Sequence, residues 1–154
     1  MLKPAEVAAW VGAITGVSAL MWDFYKWKTS GPRMSMTVST DMTILPRGHD
    51  DAKYVSSTVR NTGTASTTIT GFGFAVYEGW IARTRLAPSA QFIIPSPAFA
   101  QRLPFKLDVG AEWNGMAIQD AELEQLIDAG KLWCRVYHSW SSRPVQARVT
   151  RERL

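Results

Sequence analysis

From Val7 to Trp22 the chain reads VAAWVGAITGVSALMW without a charged residue. Beyond Pro32 it changes to short runs in which apolar and polar positions alternate. The first pattern predicts a helix that is apolar on every face, the second a set of strands with one face buried. Helix over Val7 to Trp22 alone covers about 24 Å, short of a hydrocarbon core of roughly 30 Å. Extension from Ala5 to Lys28 gives about 36 Å, enough to span with some tilt. Pro4 suits the first helical turn, and Gly31-Pro32 ends the helix after Ser30. Trp10 near one end, and Trp22, Tyr25 and Trp27 at the other, form interfacial anchors, joined by Lys26 and Lys28.

Residues 1–30 are therefore expected to be a transmembrane anchor. Two other readings stay open: the helix of a soluble protein, and a secretory signal with Val17-Ser18-Ala19 as its cleavage site. Glu6 beside the single Lys3, and the Trp-rich terminus that cleavage would leave, weigh against the signal. Lys26, Lys28 and Arg33 follow the span and only Lys3 precedes it, which predicts a cytoplasmic C-terminal domain. Within the span Ala8, Gly12 and Gly16 make a row of small residues at four-residue spacing. Such a row lets two backbones approach closely, so a homodimer through the helix is one expectation; small residues that are merely common in membrane helices are the other.

Residues 31–154 read as one β-rich domain. Met34, Met36 and Val38 alternate with Ser35, Thr37 and Ser39. A turn is expected over Pro46–Asp51, then a strand over Tyr54–Arg60 closed by Asn61-Thr62-Gly63. A longer strand is expected over Thr67–Tyr77, with Gly71 and Gly73 marking a bulge or a close backbone approach. A proline-rich connection follows, holding a short edge strand at Phe92-Ile93-Ile94, and then a strand over Phe105–Val109. Asp120 as N-cap, the apolar stripe Leu123, Leu126 and Ile127, and Gly130 as the stop predict one short helix. The last pair is a hairpin, Leu132–Trp140 and Val145–Thr150, with its turn at Ser141–Pro144. About seven short strands with a helix before the final hairpin suggest an immunoglobulin-like β-sandwich.

Three stretches resemble a group of uncharacterised bacterial single-span membrane proteins. They are Trp22-Asp23-Phe24-Tyr25-Lys26-Trp27 with Ser30-Gly31-Pro32-Arg33, then Val59-Arg60-Asn61-Thr62-Gly63, and then Leu103-Pro104 with Leu107-Asp108-Val109-Gly110-Ala111-Glu112-Trp113. The resemblance implies an N-terminal anchor helix followed by an Ig-like β-sandwich domain, and it carries no activity or catalytic residue.

Composition narrows the classes further. With 46% hydrophobic residues and a net charge of +4 in 154 residues, a disordered chain is excluded. A single cysteine, Cys134, excludes a disulfide scaffold and fits a reducing compartment. The small basic excess does not by itself point to nucleic acid. Nucleophile, zinc-protease, P-loop and CxxC motifs are absent, and Gly71-Phe72-Gly73 lacks the third glycine of a dinucleotide fingerprint. Cys134 and His138 would lie about 13 Å apart along a strand, too far for a thiol–imidazole pair. His49, Asp50 and Asp51 gather three ligand-type side chains in one turn, an arrangement more often solvated than metal-bound. No catalytic residue, metal or cofactor is expected.

Arg143, Arg148, Arg151 and Arg153 form a candidate contact for anionic lipid or a partner; a solvated edge that repels other strands is the plainer reading. Trp80, Trp113, Trp133 and Trp140 divide between core and surface in a way the pattern does not resolve. The leading expectation is a non-enzymatic, membrane-anchored protein-interaction module. The alternative is a structural or accessory subunit of a larger membrane or virion assembly, and a small hydrolase ranks last.

Overall fold

The computed structural model describes residues 3–44, 52–98 and 101–151. The chain divides between Gly31 and Pro32 into two compact units. The first is α1 (Pro4–Thr29), 26 residues, or about 39 Å of helix. Its start is closed by the Lys3 backbone N–H donating to Glu6 Oε2 at 3.2 Å, and its end by the Ser30 N–H donating to the Lys26 carbonyl at 2.8 Å. The Thr15 and Ser18 hydroxyls each donate to the carbonyl four residues back, Val11 and Ile14, at 2.8 Å. Polar side chains inside the apolar run are thus satisfied by the helix itself, as a medium without water requires. Trp10, Trp22, Tyr25 and Trp27 are all exposed, Trp22 stacks on Tyr25 at 6.0 Å, and the Lys26 ammonium lies 5.8 Å from the Trp22 ring. The helix is long and apolar enough to cross a membrane.

The second unit is mainly β. Its strands are β1 (Met34–Met42), β2 (Tyr54–Asn61), β3 (Thr67–Val76), β4 (Ala90–Ile93), β5 (Phe105–Leu107), β6 (Glu112–Ile118), β7 (Leu132–His138) and β8 (Ser141–Arg148). Two short helices interrupt them, α2 (Trp80–Thr84) after β3 and α3 (Ala121–Asp128) after β6. One sheet has the order β1-β2-β6 and the other β4-β3-β7-β8, with β5 also on β3. All pairings are antiparallel.

Both sheets supply one core. Val55, Val59 and Trp113 from the first meet Ile69, Phe72, Phe74, Leu132 and Val136 from the second. Trp113 is fully buried and meets Phe72 edge-on at 5.5 Å. Its indole N–H donates to the Gln101 carbonyl at 2.9 Å. The ring lies over Gly115 so closely that a Cβ there would collide with it.

Asn61 is the polar counterpart of this contact. Fully buried, its side-chain amide donates to the carbonyls of Ala65 at 2.8 Å and Leu107 at 3.2 Å, and its side-chain oxygen accepts from the Gly63 N–H at 3.0 Å. The backbone N–H of Asn61 donates to Ala111 at 3.1 Å, and the N–H of Gly110 donates to Asn61 at 2.8 Å. The Asn61-Thr62-Gly63 turn and the Leu107–Ala111 connection are thereby fastened together.

Several expectations are met and several are corrected. The alternation in β1 holds, with Met34, Met36 and Val38 packed against the core. In α3 the Asp120 side chain accepts from the Leu123 N–H at 2.8 Å, and Gly130 takes the positive φ of +67° that ends a helix. The register of β3 shifts between Ile69 and Gly71, and the backbone of Phe92 presses so near Gly73 that no Cβ fits. The strand β6 was not expected. Its inward positions are Trp113, Gly115 and Ala117, while Met116 and Ile118 are more exposed, so the alternation of hydrophobicity is lost after Asn114. The five residues of α2 are too few to show a helical period.

The expected turn at Ser141–Pro144 is wrong. The hairpin turns at Ser139 and Trp140, and Ser141–Pro144 begin β8. As the last strand of its sheet, β8 accommodates Pro144 because one side of it needs no ladder hydrogen bonds. Among the described residues there are eight strands where about seven were expected, β5 ends at Leu107 and not Val109, and β4 begins at Ala90. The turn expected over Pro46–Asp51 lies outside the described residues apart from its flanks.

Trp113→Ala is expected to lower unfolding stability by about 3–5 kcal/mol, the usual cost of truncating a buried large aromatic. Trp80→Ala, at a position 75% exposed, should stay within about 0.5 kcal/mol of the parent. Denaturant unfolding of the detergent-solubilised chain, followed by circular dichroism, checks both.

Candidate functional site

The side chains with chemical potential are mostly held in structural roles. Cys134 sits in the core between Leu132 and Val136, all three fully buried. Burial pushes its thiol up to about 12, so it is neither a nucleophile nor a ready metal ligand near neutrality. His138 lies at the far end of β7, half-buried beside the turn. Loss of water holds it below its ordinary 6.5, with a hydrogen bond from the ring to the Arg143 backbone carbonyl working the other way. Among the described residues no three of His, Cys, Asp and Glu gather as a metal site. His49, Asp50 and Asp51 lie outside the described residues.

The acidic residues around α3 are engaged in surface pairs. Lys53 bridges Asp41 at 3.0 Å and Glu124 at 3.7 Å. Its hydrogen bond to Asp41, opposed by some burial, holds that carboxyl below its ordinary range. Asp41 itself has a φ of +57°, a conformation Asp tolerates better than most residues. Its backbone N–H donates to Gln119 Oε1 at 3.0 Å, so the irregular end of β1 is tied to the residue just before α3.

The three described of the four arginines singled out in the sequence, Arg143, Arg148 and Arg151, have different surroundings. Arg148 is exposed, but it donates through Nε and Nη2 to the Gly130 carbonyl at 3.2 and 3.0 Å, closing the exit from α3. Arg151 bridges Asp128 at 3.2 Å. Arg153 lies outside the described residues. Arg143 alone faces a basic neighbourhood, and its neighbours are residues that sequence reasoning missed. Arg83 and Arg85, in and just after α2, line with it a shallow cavity of about 480 Å³. Behind it Arg135 is 3% exposed. Only the short spacing of Arg83 and Arg85 in Trp80–Arg85 hinted at this cluster, since β8 joins it from 58 residues away.

The tryptophans sort clearly. Trp113 fills the core, Trp80 and Trp140 are exposed, and Trp133 lies on the outer face of the larger sheet beneath the Arg83 guanidinium, 4.2 Å from the ring centroid.

A second concavity is apolar. Between β4 and β6, at the start of α3, a cleft of about 520 Å³ is lined by Phe74, Phe92, Ile94, Met116 and Leu123, with Asp120 and Glu122 also at its walls. Ile93 and Ile118, 75% and 61% exposed, belong to it as well. Sequence reasoning missed this cleft because one wall of it, Met116, Ala117 and Ile118, belongs to β6. No family model, curated protein or solved structure matches the chain.

The depressed His138 value has a consequence for stability. The neutral ring is favoured in the fold, so the unfolded chain binds the proton more readily. The contribution is fully present above pH 6.5 and declines as the pH falls below it. The thermal midpoint should therefore be lower at pH 5.5 than at pH 7.5, and His138→Gln should shrink that difference; differential scanning calorimetry on the two chains measures it.

Proposed function

We propose that the chain is a single-pass membrane protein whose β domain is an immunoglobulin-like sandwich on the cytoplasmic side, acting as a non-enzymatic module for protein interaction. The anchor reading rests on α1, apolar on all faces with every described residue unburied. The sandwich reading rests on two antiparallel sheets that share one core, with α3 placed before the last hairpin. Lys26, Lys28 and Arg33 after the span, against Lys3 before it, support the sidedness.

The observation that carries the interaction reading is the apolar cleft between β4 and β6. The outer side of β4 ends its sheet without a strand neighbour, and such an edge accepts an added strand through main-chain hydrogen bonds. The neighbouring cleft offers a pocket for an apolar side chain, and Glu122 and Asp120 favour a basic residue next to it. The occupant is therefore an extended partner segment with an apolar residue beside a lysine or arginine. The edge of β6 is less open, because the Met116 N–H donates to the Pro97 carbonyl at 2.6 Å and the Asn114 N–H to Gln101 Oε1 at 2.9 Å.

A photo-crosslinking residue placed at Ile93 or at Ile118 in the full chain, in native membranes, should give the same adduct from both positions. Placement at Thr37, exposed on β1, should give none, and Glu122→Lys should cut the adduct yield about tenfold, as expected for a reversed charge at a complementary contact. Adducts of equal yield from Thr37, or an insensitivity to Glu122→Lys, would overturn the reading. The accessory-subunit alternative draws on one observation, the open space around Gly12 and Gly16. It would be favoured if adducts came from positions in α1 and the complex kept a fixed stoichiometry in mild detergent.

Sidedness has its own test. The buried Cys134 is silent toward thiol reagents, so Thr37→Cys supplies a single reactive thiol. In intact cells an impermeant maleimide should leave it unlabelled, and full labelling would place the domain outside.

A further inference from the structure

We propose that the basic cavity on the outer face of the larger sheet, between the end of α2 and β8, binds a phosphomonoester. Arg83, Arg85 and Arg143 are among the residues that line its roughly 480 Å³, and no acidic residue lines it. Among the described residues no ion pair engages any of the three, nor Arg135 behind them. Like charges held around one concavity repel one another, and an anion placed between them relieves that repulsion. Guanidinium forks match the oxygen geometry of phosphate through paired hydrogen bonds, which ammonium groups do not.

The wall behind the cavity is built, not incidental. Arg135 stands opposite Gln146 across the β7–β8 ladder, and Gln146 lines the cavity. The Tyr77 hydroxyl accepts from Arg135 Nη2 and donates to Gln146 Oε1 at 3.0 Å. Arg135 Nε has no hydrogen-bond partner. A buried cation left without a counter-charge is costly to a fold, and an anion bound on the Gln146 side lowers that cost. The outer positions of β3 facing this wall are Gly71, Gly73 and Ala75, which pair with Tyr137, Arg135 and Trp133. At Gly71 the missing side chain makes room for the Tyr137 ring on the next strand. The opposite wall turns at Leu86, whose φ of +53° is a strained value for a leucine. The strain sets the α2 exit where its two arginines flank the cavity.

A cavity of this size is larger than a bare phosphate needs and suits a phosphorylated small molecule or headgroup. The shared chemistry is the phosphomonoester; the source is either a lipid such as phosphatidic acid or a soluble metabolite. Trp133 reports on it, because a ligand that draws Arg83 away alters the emission of the ring beneath it.

The full chain in phosphatidylcholine nanodiscs is titrated with glycerol 3-phosphate, and in parallel is placed in nanodiscs containing 10% phosphatidic acid or 10% phosphatidylserine. A saturable emission change with glycerol 3-phosphate assigns a soluble source. A change with phosphatidic acid alone, absent with phosphatidylserine, assigns the headgroup. Either response should vanish with Trp133→Phe. Arg85→Gln and Arg143→Gln, which break no described ion pair, should each weaken it about tenfold with an unchanged melting temperature, and Arg143→Lys should restore only part of it. Lys106→Gln, a charge removed elsewhere, should have no effect. Absence of a saturable response in every arm, or equal weakening by Lys106→Gln, overturns the proposal.

Discussion

The two sheets are one domain because Trp113 reaches from β6 to Phe72 on β3. Phe74 meets Phe72 edge-on from the same strand at 5.6 Å, and the rest of the buried cluster is aliphatic or smaller. The Trp113 contact makes two demands. The ring must have room, which Gly115 gives by lacking a Cβ, and the indole N–H must be satisfied away from water, which the Gln101 carbonyl does. The proline-rich connection that carries Gln101 is therefore fixed from inside the core although much of it runs over the surface. It in turn covers the edge of β6 and leaves the cleft beside β4.

Asn61 shows why the Asn61-Thr62-Gly63 stretch has its form. An amide with no access to solvent must place its donors and acceptor, and it does so across two turns that are 46 residues apart in the chain. Thr62-Gly63 and Asp108-Val109-Gly110-Ala111 look like unrelated turn sequences until that amide connects them.

What the sequence made legible were features whose cause is local. The apolar run of α1, the alternation in β1, and the cap and stop of α3 each act within a few residues. The features it hid depend on partners far away. β6 escaped notice because the core there takes Gly115 under the tryptophan ring and then the small Ala117, so its inward positions give little hydrophobic signal while Met116 and Ile118 point outward. The hairpin turn was misplaced because Pro144 looks like a turn residue, and only a strand at the sheet's edge can carry it. The arginines were grouped by nearness in sequence, whereas the fold sends Arg148 and Arg151 to structural contacts and brings Arg143 to Arg83 and Arg85.

The strand order has a consequence for how the chain is made. β3 is central to its sheet, yet β7, which pairs along most of it, begins at Leu132, 65 residues after β3 begins at Thr67. At translation rates of about 5–20 residues per second that is an interval of roughly 3–13 s. Throughout it, α1 is already available to lipid while Phe72 and Phe74 lie on a strand with one edge unpaired, a template for unwanted association. The irregular register after Ile69 and the glycines at 71 and 73 make β3 a poor template for any straight strand. The same departures that fit the finished sheet protect the nascent one.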